Sequence, residues 1–111
     1  MRVNNYFLSN HAFNRIIERL ILSQNIKLNK KQKAKNKNKV INKIKKDLDN
    51  NFGCSYFKGY KAIYTDLKDN NTCTKYIVST ERTIITVVNN INIYNEISQY
   101  NINLKKDINL S

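Results

Sequence analysis

The apolar pattern changes period at Gly53, and that change limits the fold more than any other feature of the chain. Before it, Phe13, Ile16, Ile17 and Leu20 recur at helical spacing. Ser9 stands ready to cap such a helix, because its hydroxyl can accept a bond from a free N–H of the first turn. The spacing predicts a helix from about Asn10 to about Leu22, a break around Ser23 to Asn29, and a second helix from about Asn29 to about Asp49. Ala34, Val40, Ile41, Ile44 and Leu48 give the second helix a thin apolar stripe. Gly53 is expected to end it in a left-handed conformation.

After Gly53 the pattern alternates, as strands do. Cys54 to Phe57, Tyr60 to Asp66, Thr72 to Ser79 and Thr83 to Val88 are rich in aromatic and β-branched residues. Gly59 marks a bulge or turn, and Lys68-Asp69-Asn70-Asn71 a turn. The expected fold class is α+β: two N-terminal helices packed on an antiparallel β-meander of three to four strands, with a short C-terminal element. Residues 1–8 could add an edge strand or pack on the first helix. Asn90 to Leu104 could close the fold as helix or strand, and 105–111 read as a tail. A chain of 111 residues fits one domain, 1–111.

Charge is concentrated rather than spread. Ten of the twenty basic residues are lysines between Lys27 and Lys46, with no acid among them; the other ten stand against eight acids. Such a cluster attracts a polyanion. Nucleic acid is the expected partner, with Lys30, Lys31, Lys33, Lys35, Lys37 and Lys39 as the phosphate-binding residues. Like charges four residues apart oppose helix formation, so 27–39 is expected to be a flexible basic segment.

Cys54 and Cys73 have no neighbouring histidine and do not make a zinc site. No carboxylate cluster of metal-binding type is evident, so neither a metal nor another cofactor is expected. The first residues lack the apolar core of a secretory signal, and no stretch is long enough to span a bilayer. A reducing bacterial cytoplasm is the expected compartment, with no membrane partner and an alternative location in a phage particle.

The first helix carries a second message. His11, Arg15, Glu18 and Arg19 fall opposite its apolar stripe. A side chain that titrates near neutrality, two fixed cations and a carboxylate form a kit for acting on a phosphate ester. Such a face is more often simply solvated.

Ser9-x-His11-Ala12-x-x-Arg15-x-x-x-Arg19, Tyr60-x-Ala62-Ile63-Tyr64 and Ile84-Ile85-Thr86-Val87-Val88 together resemble a bacterial and phage family. That family opens with such a helix and closes its meander with Ile-Thr-Val. It is similar in architecture to the compact RNases and toxins that include barnase, the colicin tRNases and the RelE-type mRNA interferases. The resemblance spans most of residues 6 to 88, and its motifs are short. It implies that His11, Arg15, Arg19 and Thr86 face a cleft. The basic segment is longer than the family's usual link.

On this reading the protein is a small, metal-independent endoribonuclease, a toxin with a cognate antitoxin or a phage-encoded enzyme. His11 would act as general base, Arg15 and Arg19 would clamp phosphate oxygens, and Thr86 would donate to the scissile phosphate. With one histidine in the chain, Tyr60, Tyr64, a lysine or water would supply the second proton transfer. Two other classes compete. One is a non-catalytic nucleic-acid-binding protein, in which the strand tyrosines Tyr56, Tyr60, Tyr64 and Tyr76 pack in the sheet or stack on bases. The other is a structural or cargo component of a virion.

Overall fold

The computed structural model describes residues 2–17 and 30–105. In chain order, β1 (Arg2–Val3) and β2 (Tyr6–Leu8) form a short hairpin, followed by α1 (Asn10–Ile16) and α2 (Lys30–Asp49). Then come β3 (Gly53–Phe57), β4 (Tyr60–Thr65), β5 (Thr72–Ser79) and β6 (Thr83–Asn92), and finally α3 (Ile93–Gln99) and β7 (Asn103–Leu104). The strands form one seven-stranded sheet in the order β1-β2-β6-β5-β4-β3-β7, curled into a half-barrel. No described helix is long and apolar enough to cross a membrane.

This corrects the expected two helices on a meander of three to four strands. The meander exists, as β3 through β6, but it is the middle of a larger mixed sheet, with three helices among the described residues. β2 pairs in parallel with β6, Leu8 beside Ile84, and the N–H of Phe7 donates to the carbonyl of Arg82 at 2.8 Å. A three-residue strand is too short to show alternation, and its partner lies far along the sequence, at Thr83 and Ile84. At the other edge β7 joins β3 by two residue pairs. Gly53 makes that approach possible: a Cβ there would stand 2.9 Å from the carbonyl oxygen of Asn103. Gly53 therefore starts a strand rather than capping α2. The helix ends instead on asparagine amides, with Asn50 Nδ2 donating to the Lys46 carbonyl and Asn51 Nδ2 to that of Leu48.

α1 begins as its sequence predicts: Ser9 Oγ accepts the N–H of Ala12 at 3.0 Å. The remainder of the expected first helix, including Glu18, Arg19 and Leu20, lies outside the described residues. α2 is helical from Lys30, so the backbone of the segment expected to be flexible is regular from that residue onward.

Each face of the sheet has its own core. Ala12 and Ile16 of α1, Ile17 at its C-cap, and Val40, Ile44 and Leu48 of α2 pack on Ile63, Tyr76, Val78, Ile84 and Val87. Where α2 meets the sheet, the buried Asp47 carboxylate accepts the Tyr76 hydroxyl at 2.7 Å and the Lys43 ammonium at 3.3 Å. Thr65 Oγ1 donates to the Asp47 carbonyl at 2.6 Å. Burial and the adjacent carboxylate drive the Tyr76 hydroxyl far above its usual range. On the opposite face Phe52, Tyr64, Cys73 and Ile93 form a smaller core, joined by Ile97 of α3. Burial raises the Tyr64 hydroxyl to about 12 and the Cys73 thiol to about 11. Both cysteines are free.

Candidate nucleic-acid interface

The sequence Tyr56-Phe57-Lys58-Gly59-Tyr60-Lys61 folds into a hairpin whose turn is two residues long. Lys58 and Gly59 both take positive φ, 41° and 83°, as a tight twisted hairpin turn demands. Phe57 and Tyr60 face one another across the pair, and so do Tyr56 and Lys61. Directly opposed residues share a face, and neighbours along a strand alternate. Consecutive aromatics are thus split between the two sides of the sheet. Tyr56 is 68% exposed, Phe57 50% and Tyr60 46%.

A second turn completes the surface. Between β5 and β6, Thr80-Glu81-Arg82 makes a three-residue connection in which Arg82 adopts φ 63°. Its N–H donates to the Ser79 carbonyl at 3.0 Å. A non-glycine residue in this left-handed region is strained. Its carbonyl is held by Phe7, and its guanidinium lies 5.5 Å from the centre of the Tyr6 ring. Two more cations sit over exposed rings, Lys58 Nζ 5.5 Å from the Phe57 centre and Lys61 Nζ 5.7 Å from the Tyr56 centre.

These side chains surround a hollow of about 440 Å³ whose walls include Tyr6, Tyr56, Tyr60, Lys61, Thr80 and Arg82. Among the described residues, no carboxylate lines it. Flat rings offer stacking area, and the cations beside them offer charge-assisted bonds to anionic oxygens. Together they suit a ligand that is aromatic and negatively charged at once.

The other expected site residues are dispersed. His11 and Arg15 are exposed and four residues apart, hence on one side of α1. Arg19 lies outside the described residues. Thr86 pairs with Ile77, which belongs to the core opposite α1, so Thr86 sits on the sheet face away from His11 and Arg15. Tyr60 lies on the hairpin at the turn end. Lys37 and Lys39 are exposed on α2, where Lys30, Lys31, Lys33 and Lys35 also lie along the helix. No group of three or more potential metal ligands occurs among the described residues.

The tyrosine reading missed which rings are free: Tyr64 and Tyr76 are buried, whereas Tyr56 and Tyr60 are exposed. Lys58, Lys61 and Arg82 were not singled out as ligand-binding residues. The signal was the adjacent pair Tyr56-Phe57 before a glycine turn. Consecutive aromatics on a strand cannot share a face, so burying both requires cover on each side. No family model matches the chain, and neither a curated protein nor a solved structure matches it.

Proposed function

We propose that this protein binds single-stranded nucleic acid, holding bases on the aromatic turn end of the sheet and drawing in the phosphate backbone with lysines. The observation that carries the reading is the set of three rings, Tyr6, Tyr56 and Phe57, each with a cation 5.5 to 5.7 Å from its centre, around one hollow. Bases in a duplex are stacked on each other and cannot offer their faces to these rings. A single strand can. The lysines of α2, Lys37 and Lys39 among them, supply a sequence-independent pull on the same polyanion. Fluorescence anisotropy with labelled RNA and DNA strands tests this. Single strands should bind more tightly than the matching duplex, and Tyr56→Ala should weaken them. Equal affinity for duplex and single strand, unaffected by Tyr56→Ala, would reduce the protein to a polycation.

A second reading, the metal-independent endoribonuclease, is favoured by His11 and Arg15 standing exposed one helical turn apart. An imidazole beside a guanidinium could remove a 2′-hydroxyl proton next to a held phosphate. RNA cleavage in EDTA that disappears in His11→Ala would establish it. Intact RNA after prolonged incubation with the unaltered protein would dismiss it.

A further inference from the structure

Among the described residues, six that are not glycine take positive φ. Four of them, Asn4, Asp66, Asn71 and Asn90, are of the types that tolerate this region best. The other two are Lys58 and Arg82. Both are cations, and both wall the hollow of about 440 Å³. They sit in separate turns at one end of the sheet, since Tyr60, which follows the first turn, pairs with Ser79, which precedes the second. Tight hairpin turns favour Asn, Asp or Gly at such places. Both turns carry a cation instead, at a cost in backbone strain.

The two cations are held differently. Arg82 is fixed from three sides: its N–H donates to the Ser79 carbonyl at 3.0 Å, its carbonyl accepts the Phe7 N–H at 2.8 Å, and its guanidinium lies over the Tyr6 ring. Tyr6 is half-buried and packs against the larger core. An arginine over a ring keeps its five N–H donors for other acceptors. Among the described residues, no hydrogen bond or ion pair takes those donors. A planar fork is thus held at the wall of a hollow that no described carboxylate lines, and such a fork matches two oxygens of one phosphate. Lys58, at the tip of its hairpin, is a point charge on a flexible stem and meets a phosphate from many directions.

Resting on the single-strand reading above, we propose that Arg82 grips one particular phosphate of the bound strand with two parallel N–H bonds and so sets the strand's register along the hollow. Lys58 draws the strand in by charge without choosing among its phosphates. The rings hold bases, and the arginine decides which linkage lies beside them.

The experiment measures binding of a short DNA single strand in which one linkage at a time is replaced by an uncharged methylphosphonate. With the intact protein one linkage should matter most, its replacement weakening binding about fivefold more than replacement of any other. Arg82→Lys keeps the charge and loses the fork. It should weaken the unmodified strand by about fivefold or more and level the penalties across the linkages. Lys58→Gln should weaken every strand alike and leave the uneven profile standing. Arg82→Gly puts at the strained position a residue that the turn favours, so it keeps the test open should Arg82→Lys fail to fold, and it must level the profile too. Thermal melts check the fold of each variant. Equal penalties at all linkages in the intact protein, or an uneven profile that survives in the Arg82 variants, overturns the inference while single-strand binding stands. Absence of binding of the unmodified strand by the intact protein removes both.

Discussion

Four tyrosines on neighbouring strands divide into two kinds. Tyr76 and Tyr64 are fully buried, and each hydroxyl has a partner, Asp47 for one and Ser55 at 3.2 Å for the other. Tyr56 and Tyr60 stand out in solvent around the hairpin turn, with Lys58 and Lys61 on the same short stretch. The same residue type packs a core in the middle of the sheet and makes a surface at its end. Cover decides which. Asp47 of α2 holds the Tyr76 hydroxyl and Ile93 of α3 shares a core with Tyr64, whereas Tyr56 and Tyr60 stay exposed. A tyrosine under a helix must satisfy its hydroxyl internally, whereas one beyond it presents a ring face to whatever arrives.

If that division is right, the two groups fail differently. The largest effect should come from Asp47→Ala, which strands the buried Tyr76 hydroxyl. Urea unfolding should show a loss of about 3 kcal/mol. A loss under about 0.5 kcal/mol, the scale of an ordinary surface change, would show that the buried tyrosine needs no such partner. Next, Tyr56→Ala should leave the unfolding midpoint nearly unmoved while weakening single-strand binding by about 1–3 kcal/mol, the worth of one stacked base. A shift in stability without one in binding would invert the assignment.

The buried pair should also make stability fall in alkali. Above the ordinary tyrosine value of 10, the unfolded chain loses the Tyr64 proton while the folded chain keeps it up to about 12. The unfolded state then binds fewer protons, so stability declines as pH rises through that window, by up to ~1.4 kcal/mol per pH unit for one such group. Tyr64→Phe should flatten the slope between pH 10 and 12, measured by urea unfolding. The smallest effect sharpens the contrast between charge and stacking. Replacing Lys37 and Lys39 by glutamine should lessen the dependence of log affinity on log salt by about 0.7 per lost phosphate contact, and Tyr56→Ala should leave that dependence intact.

Much of this was legible in the chain. Ser9 capped its helix as read, and the strands that begin near Cys54, Tyr60, Thr72 and Thr83 lie where the alternation placed them. Local periodicity reports local backbone, and those elements are local. What escaped depended on distant partners. Nothing in Tyr6-Phe7-Leu8 announces a parallel bond to Ile84, and nothing in Gly53 announces Asn103 rather than a helix cap. The site followed the same rule. The run of lysines was visible because it is contiguous, and the expectation of a polyanion partner rests on it. The hollow draws on Tyr6, on the Tyr56–Lys61 hairpin and on Arg82, which only the fold assembles. Thr86 read as a partner of His11 because both lie in short motifs, but strand pairing turns it to the other face.

The parallel pairing of β2 with β6 has a consequence for how the protein is made. On the ribosome, the strand at Tyr6–Leu8 has no sheet to join until Ile84 emerges. The apolar side of α1 waits equally long for Ile84 and Val87. Every residue from Ser9 to Ile84 must be synthesised before the strand at Tyr6–Leu8 can take its place in the sheet, so that apolar stretch lacks its sheet partner throughout this interval.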